Sequence, residues 1–155
     1  MSSQPAVAAQ PRTPTHSFTL DLARPNLAKL LKEFGLDGYE IERDYDFEAG
    51  PQTLSLYAPV EQGEVVPGQT MLDRGATIEG RRLGLASFLA TVKAQKSIPV
   101  ECRGKIAIVC EAVLVGWDGL RCLVYSYWHG GGWVVLVRRV GRDWSDGDRF
   151  GRLGK

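Results

Sequence analysis

No apolar stretch of the chain approaches the ~20 residues that a membrane-spanning helix needs. The start, MSSQPAVAAQPRTPTHS, also lacks the apolar core of a secretory signal, so a cytoplasmic address is the expectation. Cysteine is scarce: Cys102, Cys110 and Cys122 are odd in number and contain no C-x-x-C. That pattern indicates neither a disulfide framework nor a zinc ribbon, and buried reduced thiols are expected instead. Neither sign of charge dominates, since 19 Lys and Arg stand against 18 Asp and Glu. The resulting +1 supplies no global field to draw in nucleic acid or a membrane, so neither is an expected partner and any partner must be sought through local patches.

The 155 residues are 44% apolar and 24% charged, the balance of one ordinary globular domain with a real core. Residues 1–15 carry Pro5, Pro11 and Pro14 among mainly Ala, Gln, Ser and Thr and read as a flexible arm, leaving 16–155 as the domain. HSFTLDL alternates as a strand. PNLAKLLKEFG places Leu27, Leu30, Leu31 and Phe34 at helical spacing between Pro25 and Gly35. YEIERDYDFE has a period of two, with an acidic comb over 40–48 on one face. QTLSLYAPV is a second strand, joined to the first by a hairpin through AGPQ. Thr70 and Asp73 have the spacing of a capping box for a short helix near 71–76. Leu85, Phe88, Leu89 and Val92 mark a second main helix closed by Pro99, and from Lys105 three β-branched runs separated by glycine turns predict a meander over 105–140. The expected fold is α+β: a mainly antiparallel, twisted sheet with two main helices covering one side and the acidic strand toward an edge.

His129-Gly130-Gly131-Gly132 matches the tetrapeptide with which many lipases and esterases build an oxyanion hole, but no G-x-S-x-G nucleophile elbow is present. Glycine at a tight hairpin explains the motif instead, with Trp128 opposite Trp133. The three cysteines and His129, spaced by eight, twelve and seven residues, match no compact zinc site. If Asp118-Gly119 is a two-residue turn, Cys122 faces Val115 and Cys110 faces Tyr127, so these thiols are not paired. The acidic comb reads as a solvated outer face that discourages edge pairing, rather than as a cation site. GRLGK at the C-terminus lacks the Ser or Thr of a P-loop. No cofactor is implied.

All four tryptophans, Trp117, Trp128, Trp133 and Trp144, fall within 28 residues of the C-terminal third. Strand alternation must turn some of these rings outward, beside Arg and Asp side chains of the same segment. The expected ligand surface is Tyr125, Tyr127, Trp133, Arg138, Arg142, Trp144, Asp146 and Asp148, on the last strands and their loop. This favours a non-enzymatic binding module for a protein, peptide or glycan over its rival, a small enzyme or cofactor-binding protein with a cleft between sheet and helices.

The segments TMLDR, LGLASFL, IPVECRGKIAIV and GLRCLVYSYWHGGGWVVLVRRVGRDWSDGDRFGR, across about residues 69 to 153, resemble short uncharacterised bacterial proteins with a Trp-rich C-terminal meander. The most specific matches are Trp128, Gly131, Trp133, Asp143, Trp144, Asp148 and Arg149. The order of helix, meander and terminal strand is also similar to the C-type-lectin fold of variable proteins from diversity-generating retroelements. That second resemblance, of fold alone, implies a ligand surface on the last strands. Neither resemblance implies a catalytic residue.

Overall fold

The computed structural model describes residues 12–154. Its strands are β1 (His16–Leu22), β2 (Glu40–Arg43), β3 (Gly50–Tyr57), β4 (Val65–Pro67), β5 (Arg81–Arg82), β6 (Ala107–Val115), β7 (Arg121–His129), β8 (Gly132–Arg139), β9 (Asp143–Ser145) and β10 (Asp148–Gly154). The helices are α1 (Leu27–Glu33), α2 (Gly68–Gly75) and α3 (Leu85–Lys93). One large sheet runs in the order β1-β3-β10-β6-β7-β8, with β2 added to β6 and β5 to β10, while β4 and β9 form a separate ribbon. Every pairing is antiparallel except that of β10 with β6. Mixed α and β structure around a mostly antiparallel sheet is therefore the architecture. No helix among the described residues is long and apolar enough to cross a membrane.

Both faces of the sheet are covered, which is why β6 is buried at every position from 108 to 114 and reads as a continuous apolar run rather than an alternating one. Ile108, Leu114, Leu54, Leu56 and Leu153 face α1 and α3, together with Phe88, Leu89 and Trp133. Val109, Val113, Leu123 and Phe150 face the opposite way, under α2 and the β4–β9 ribbon, with Met71, Val140 and Trp144. The expectation of two helices on one side is thus corrected to three helices on two sides. The last strand is not at a rim but in the middle of the sheet. Its two side-chain parities are both usable: Phe150 serves one core and Leu153 the other, and Gly151 leaves room for Leu54, whose Cδ1 would lie 2.8 Å from an added Cβ.

The central layer also encloses an ion pair. Glu111 of β6 is 1% exposed and Arg152 of β10 is 3% exposed. The Arg152 guanidinium donates to both Glu111 oxygens, and to the carbonyls of Gly75 (2.6 Å) and Ile78 (3.1 Å) at the end of α2. Arg152 therefore fastens α2 to the sheet.

Several local expectations are corrected. The acidic segment is a strand only over Glu40–Arg43. It pairs with β6 rather than with β3, so the AGPQ hairpin does not form, and Gly50 instead opens a strand held between β1 and β10. The comb ends because Asp44 is used elsewhere: its Oδ1 accepts from the amides of Tyr45 (2.8 Å) and Leu85 (2.9 Å), supplying α3 with the cap that Gly84 cannot. α2 starts at Gly68 behind Pro67, which leaves Thr70 inside the helix and no capping box; Gln69 donates to Asp73 across one turn instead. α1 begins as expected, with the Asn26 side chain accepting from the Lys29 amide at 3.1 Å. The β6–β7 connection spans five residues rather than two, and Cys110–Ala112 bulge opposite Val124. Cys122 consequently faces Leu114, and Cys110 has no partner in the register. The meander is otherwise as read: Gly130 (φ 62°) and Gly131 (φ 85°) form a two-residue turn, and Trp128 lies opposite Trp133 with the rings edge to face at 6.2 Å. Of the expected arm, residues 1–11 lie outside the described residues. Residues 12–15 are attached to the body through Arg12 to the Ala58 carbonyl (2.5 Å) and the Thr15 amide to the Leu56 carbonyl (2.7 Å).

Candidate functional site

The β6–β7 loop, residues 116–120, is stiffened from within. The Gly119 amide donates to the Gly116 carbonyl (2.9 Å), the Gly116 amide to the Leu120 carbonyl (3.1 Å), and Asp118 accepts from the Leu120 amide (3.1 Å). Gly119 has φ 78°, a conformation that favours glycine. Asp118 is also paired with Arg139 at 2.8 Å, which ties the loop to the end of β8. The loop leaves Trp117 97% exposed, with Leu120 exposed beside it. A tryptophan offering nearly its whole surface to water from an ordered loop is unusual, since this residue is ordinarily much buried.

The β8–β9 turn is equally fixed. The Gly68 amide at the head of α2 donates to the carbonyls of Val140 (2.8 Å) and Arg142 (3.2 Å). Gly68 sits so close that a Cβ there would lie 2.2 Å from the Val140 oxygen and 2.8 Å from Trp144 Nε1. From this anchored turn Arg138, Arg139 and Arg142, with Asp143, line an open polar recess of about 630 Å³. Leu120, Arg121, Arg139 and Arg142 line an adjoining recess of about 520 Å³. Arg121 is held by Glu42 at 2.8 Å. Arg142 is exposed, and its guanidinium has no partner among the described residues.

Behind this rim an aromatic row runs along β7. The Arg138 guanidinium lies 5.0 Å from the Tyr125 ring and 5.2 Å from Trp144. Tyr125 meets Trp144 edge-on at 5.9 Å and stacks on Tyr127 at 6.0 Å, and His129 follows at 5.9 Å.

The eight residues expected from sequence are divided by the structure. Tyr125, Tyr127 and Arg138 lie together on one face, half-buried, and Arg142 stands at the rim. Trp144 is buried beneath them as their floor, and Trp133 is buried on the opposite face of the sheet, so neither presents a ring to solvent. Asp146, in the β9–β10 turn, is committed to the β3–β4 loop, accepting from the Gly63 amide at 2.8 Å. Asp148 is buried and accepts from the Ser145 amide at 2.9 Å. Burial pushes its carboxyl above the ordinary range, and the opposing pull of that amide, Arg138 and Arg149 does not cancel it. Absent from the expected set of eight are Trp117, Leu120, Arg121 and Arg139. Only composition hinted at Trp117, because exposure depends on how the five-residue loop folds.

Catalytic arrangements find less support. Burial pushes all three thiols above their ordinary value, which disfavours a cysteine nucleophile. Among the described residues no three His, Cys, Asp or Glu side chains converge as metal ligands. The groove between β1, α1 and α3, about 390 Å³, offers Asp21, Lys29 and Lys93, of which Lys93 is already paired with Glu33 at 3.3 Å. The chain matches no known family model, no curated protein and no solved structure.

Proposed function

We propose that the protein is a non-enzymatic binding module that takes an acidic segment of a partner protein at the rim formed by the β6–β7 loop and the β8–β9 turn. The observation that carries this reading is the 97% exposure of Trp117 from a loop whose shape is fixed by Asp118 and Arg139. An exposed ring carried beside Leu120 by a fixed loop backbone is an apolar anchor whose loop needs little ordering on association. Arg142 and Arg138 supply donors for carboxylates on either side of it, while Arg121 and Arg139 already hold the scaffold. The β7 row of Tyr125 and Tyr127 extends the surface for a longer ligand. A lectin-like reading would place the ligand on the last strands, β10 among them. β10 lies inside the sheet here, so the proposal draws on the loops and not on that resemblance.

The test is a peptide array spanning acidic, basic and neutral sequences, followed by titration read from tryptophan emission. An acidic peptide with an apolar residue should bind and shift the emission to the blue as Trp117 leaves water. Trp117→Ala should weaken binding at least tenfold, about 1.4 kcal/mol, and Arg142→Glu should weaken it with a change in salt dependence. Binding that is indifferent to both changes, or a preference for basic peptides, glycans or nucleic acid, would refute the proposal.

A further inference from the structure

The outer edge of β8 is the other unassigned feature, and its backbone is unusually specific about what could pair with it. β8 is the end strand of the sheet. Its sequence, GWVVLVRR, has no proline, lysine or acidic residue, and its register with β7 is unbroken, so apart from Arg138 and Arg139 at one end it lacks the usual devices that blunt an edge. The Trp133 amide donates to Gln95 Oε1 (3.1 Å) instead of to β7, and the Val140 amide donates to Arg121 of β7 (2.9 Å). Odd-numbered residues of β8 therefore direct their amides and carbonyls outward. Of these outward groups, two are already held: the Trp133 amide by Gln95, and the Arg139 carbonyl by the Arg142 amide (3.0 Å). The amides and carbonyls of Val135 and Val137, the Trp133 carbonyl and the Arg139 amide have no partner among the described residues.

We propose that β8 pairs antiparallel with β8 of a second copy of this chain, about a two-fold axis at Leu136. In that register Val135 meets Val137 of the other copy and Trp133 meets Arg139. Every free outward group then faces a free one, and the two groups already held face each other. A shift by two residues in either direction sets a free group against a held one, so the free groups select this register alone. Leu136, 41% exposed on the tyrosine face, would lie against its own copy. Charge agrees: Arg138 and Arg139 are the only charged residues of β8 and sit at one end. Antiparallel pairing separates them from their copies, whereas parallel pairing would set them side by side. The two copies would share one continuous sheet with both tyrosine rows on the same side.

The test is mass in solution across a concentration series, by light scattering. The expected species has twice the 17.1 kDa chain mass. Val137→Pro removes an outward amide that β7 does not use, and an edge strand tolerates proline there. It should weaken dimerisation at least tenfold with an unchanged circular dichroism spectrum. Leu136→Lys, an exposed position that keeps the fold, sets two ammonium groups against each other and should give a monomer. Leu136→Cys places two thiols at a non-hydrogen-bonded pair, with Cα atoms ~4.5 Å apart, within disulfide reach, and should cross-link on mild oxidation. Val134→Cys, roughly 14 Å from its copy at ~3.4 Å per residue, should not. A monomer at every concentration overturns the proposal, as would be seen if the edge serves only a strand from a different protein. So does a dimer that survives both Val137→Pro and Leu136→Lys, or one that cross-links through position 134 and not 136.

Discussion

Replacing Arg152 by Met should be among the most damaging single changes in the molecule, and the structure sets the size of the effect. Met retains most of the apolar stem but removes the cation, leaving Glu111 as a carboxylate at 1% exposure. Breaking a buried pair from one side costs roughly 3–5 kcal/mol because the remaining charge is stranded. Two features of the site pull the figure toward the lower end. Arg82 stands 3.9 Å from Glu111, fixed by its bond to the Tyr45 hydroxyl (2.7 Å), and keeps part of the electrostatic compensation. The Gly75 carbonyl still receives the Ile78 amide at 3.0 Å, while the Ile78 and Gly151 carbonyls lose their Arg152 donor. A loss of about 3 kcal/mol is therefore expected, against a total of roughly 5–15 kcal/mol for a typical native protein. Adding Glu111→Leu removes the stranded charge and should recover part of it, leaving roughly 1–3 kcal/mol for the carbonyls that lose the Arg152 donor. Urea unfolding followed by tryptophan emission ranks the three proteins. The reasoning fails if Arg152→Met lies within 1 kcal/mol of the parent, or if the double variant is less stable than the single one.

The thiols and one carboxyl give further checks. Cys102, Cys110 and Cys122 are all buried with raised thiol pKa values, so an aromatic disulfide reagent should titrate them only as the protein unfolds; one equivalent reacting at once in the native state would contradict that packing. For Asp148 the folded carboxyl lies above its unfolded value, so between the two the native state holds more protons and stability falls as pH rises through that window. Asp148→Asn keeps an oxygen for the Ser145 amide and should lose this slope. The difference in melting temperature between parent and variant should therefore favour the parent in acid relative to neutral pH, and a pH-independent difference would refute the assignment.

How much of this was legible beforehand follows from the range of each interaction. α1, α3 and the β6–β7–β8 meander were readable because their signals are local: helical spacing of Leu27 to Phe34 and Leu85 to Val92, and β-branched runs parted by glycines that the Gly130–Gly131 turn requires. The sheet order was not readable. β10 joins β3 and β6 across long stretches of chain, and nothing within DRFGRLG distinguishes a central strand from a terminal one until Phe150 and Leu153 are seen in separate cores. The acidic comb misled for a related reason. Asp44 looks like one tooth of a solvated strand, but its use is to cap a helix 41 residues away.

The site divides along the same line. Alternation along β7 puts Tyr125 and Tyr127 on a common face from sequence alone, and β8 adds Arg138 once the hairpin register is known. Whether a ring is a floor or a surface depends instead on what covers it. Trp144 and Trp117 belong to the same compositional cluster, yet one is 1% and the other 97% exposed. Trp144 is closed over by Gly68, the first residue of α2, a helix whose attachment depends in turn on Arg152 near the far end of the chain. Trp117 has no such cover because its loop is closed by its own backbone and by Asp118. An ordered, unsheltered tryptophan is therefore a property of loop geometry and not of composition. It is also the reason the rim, rather than the tryptophan-rich strands as a whole, is where a partner should be sought.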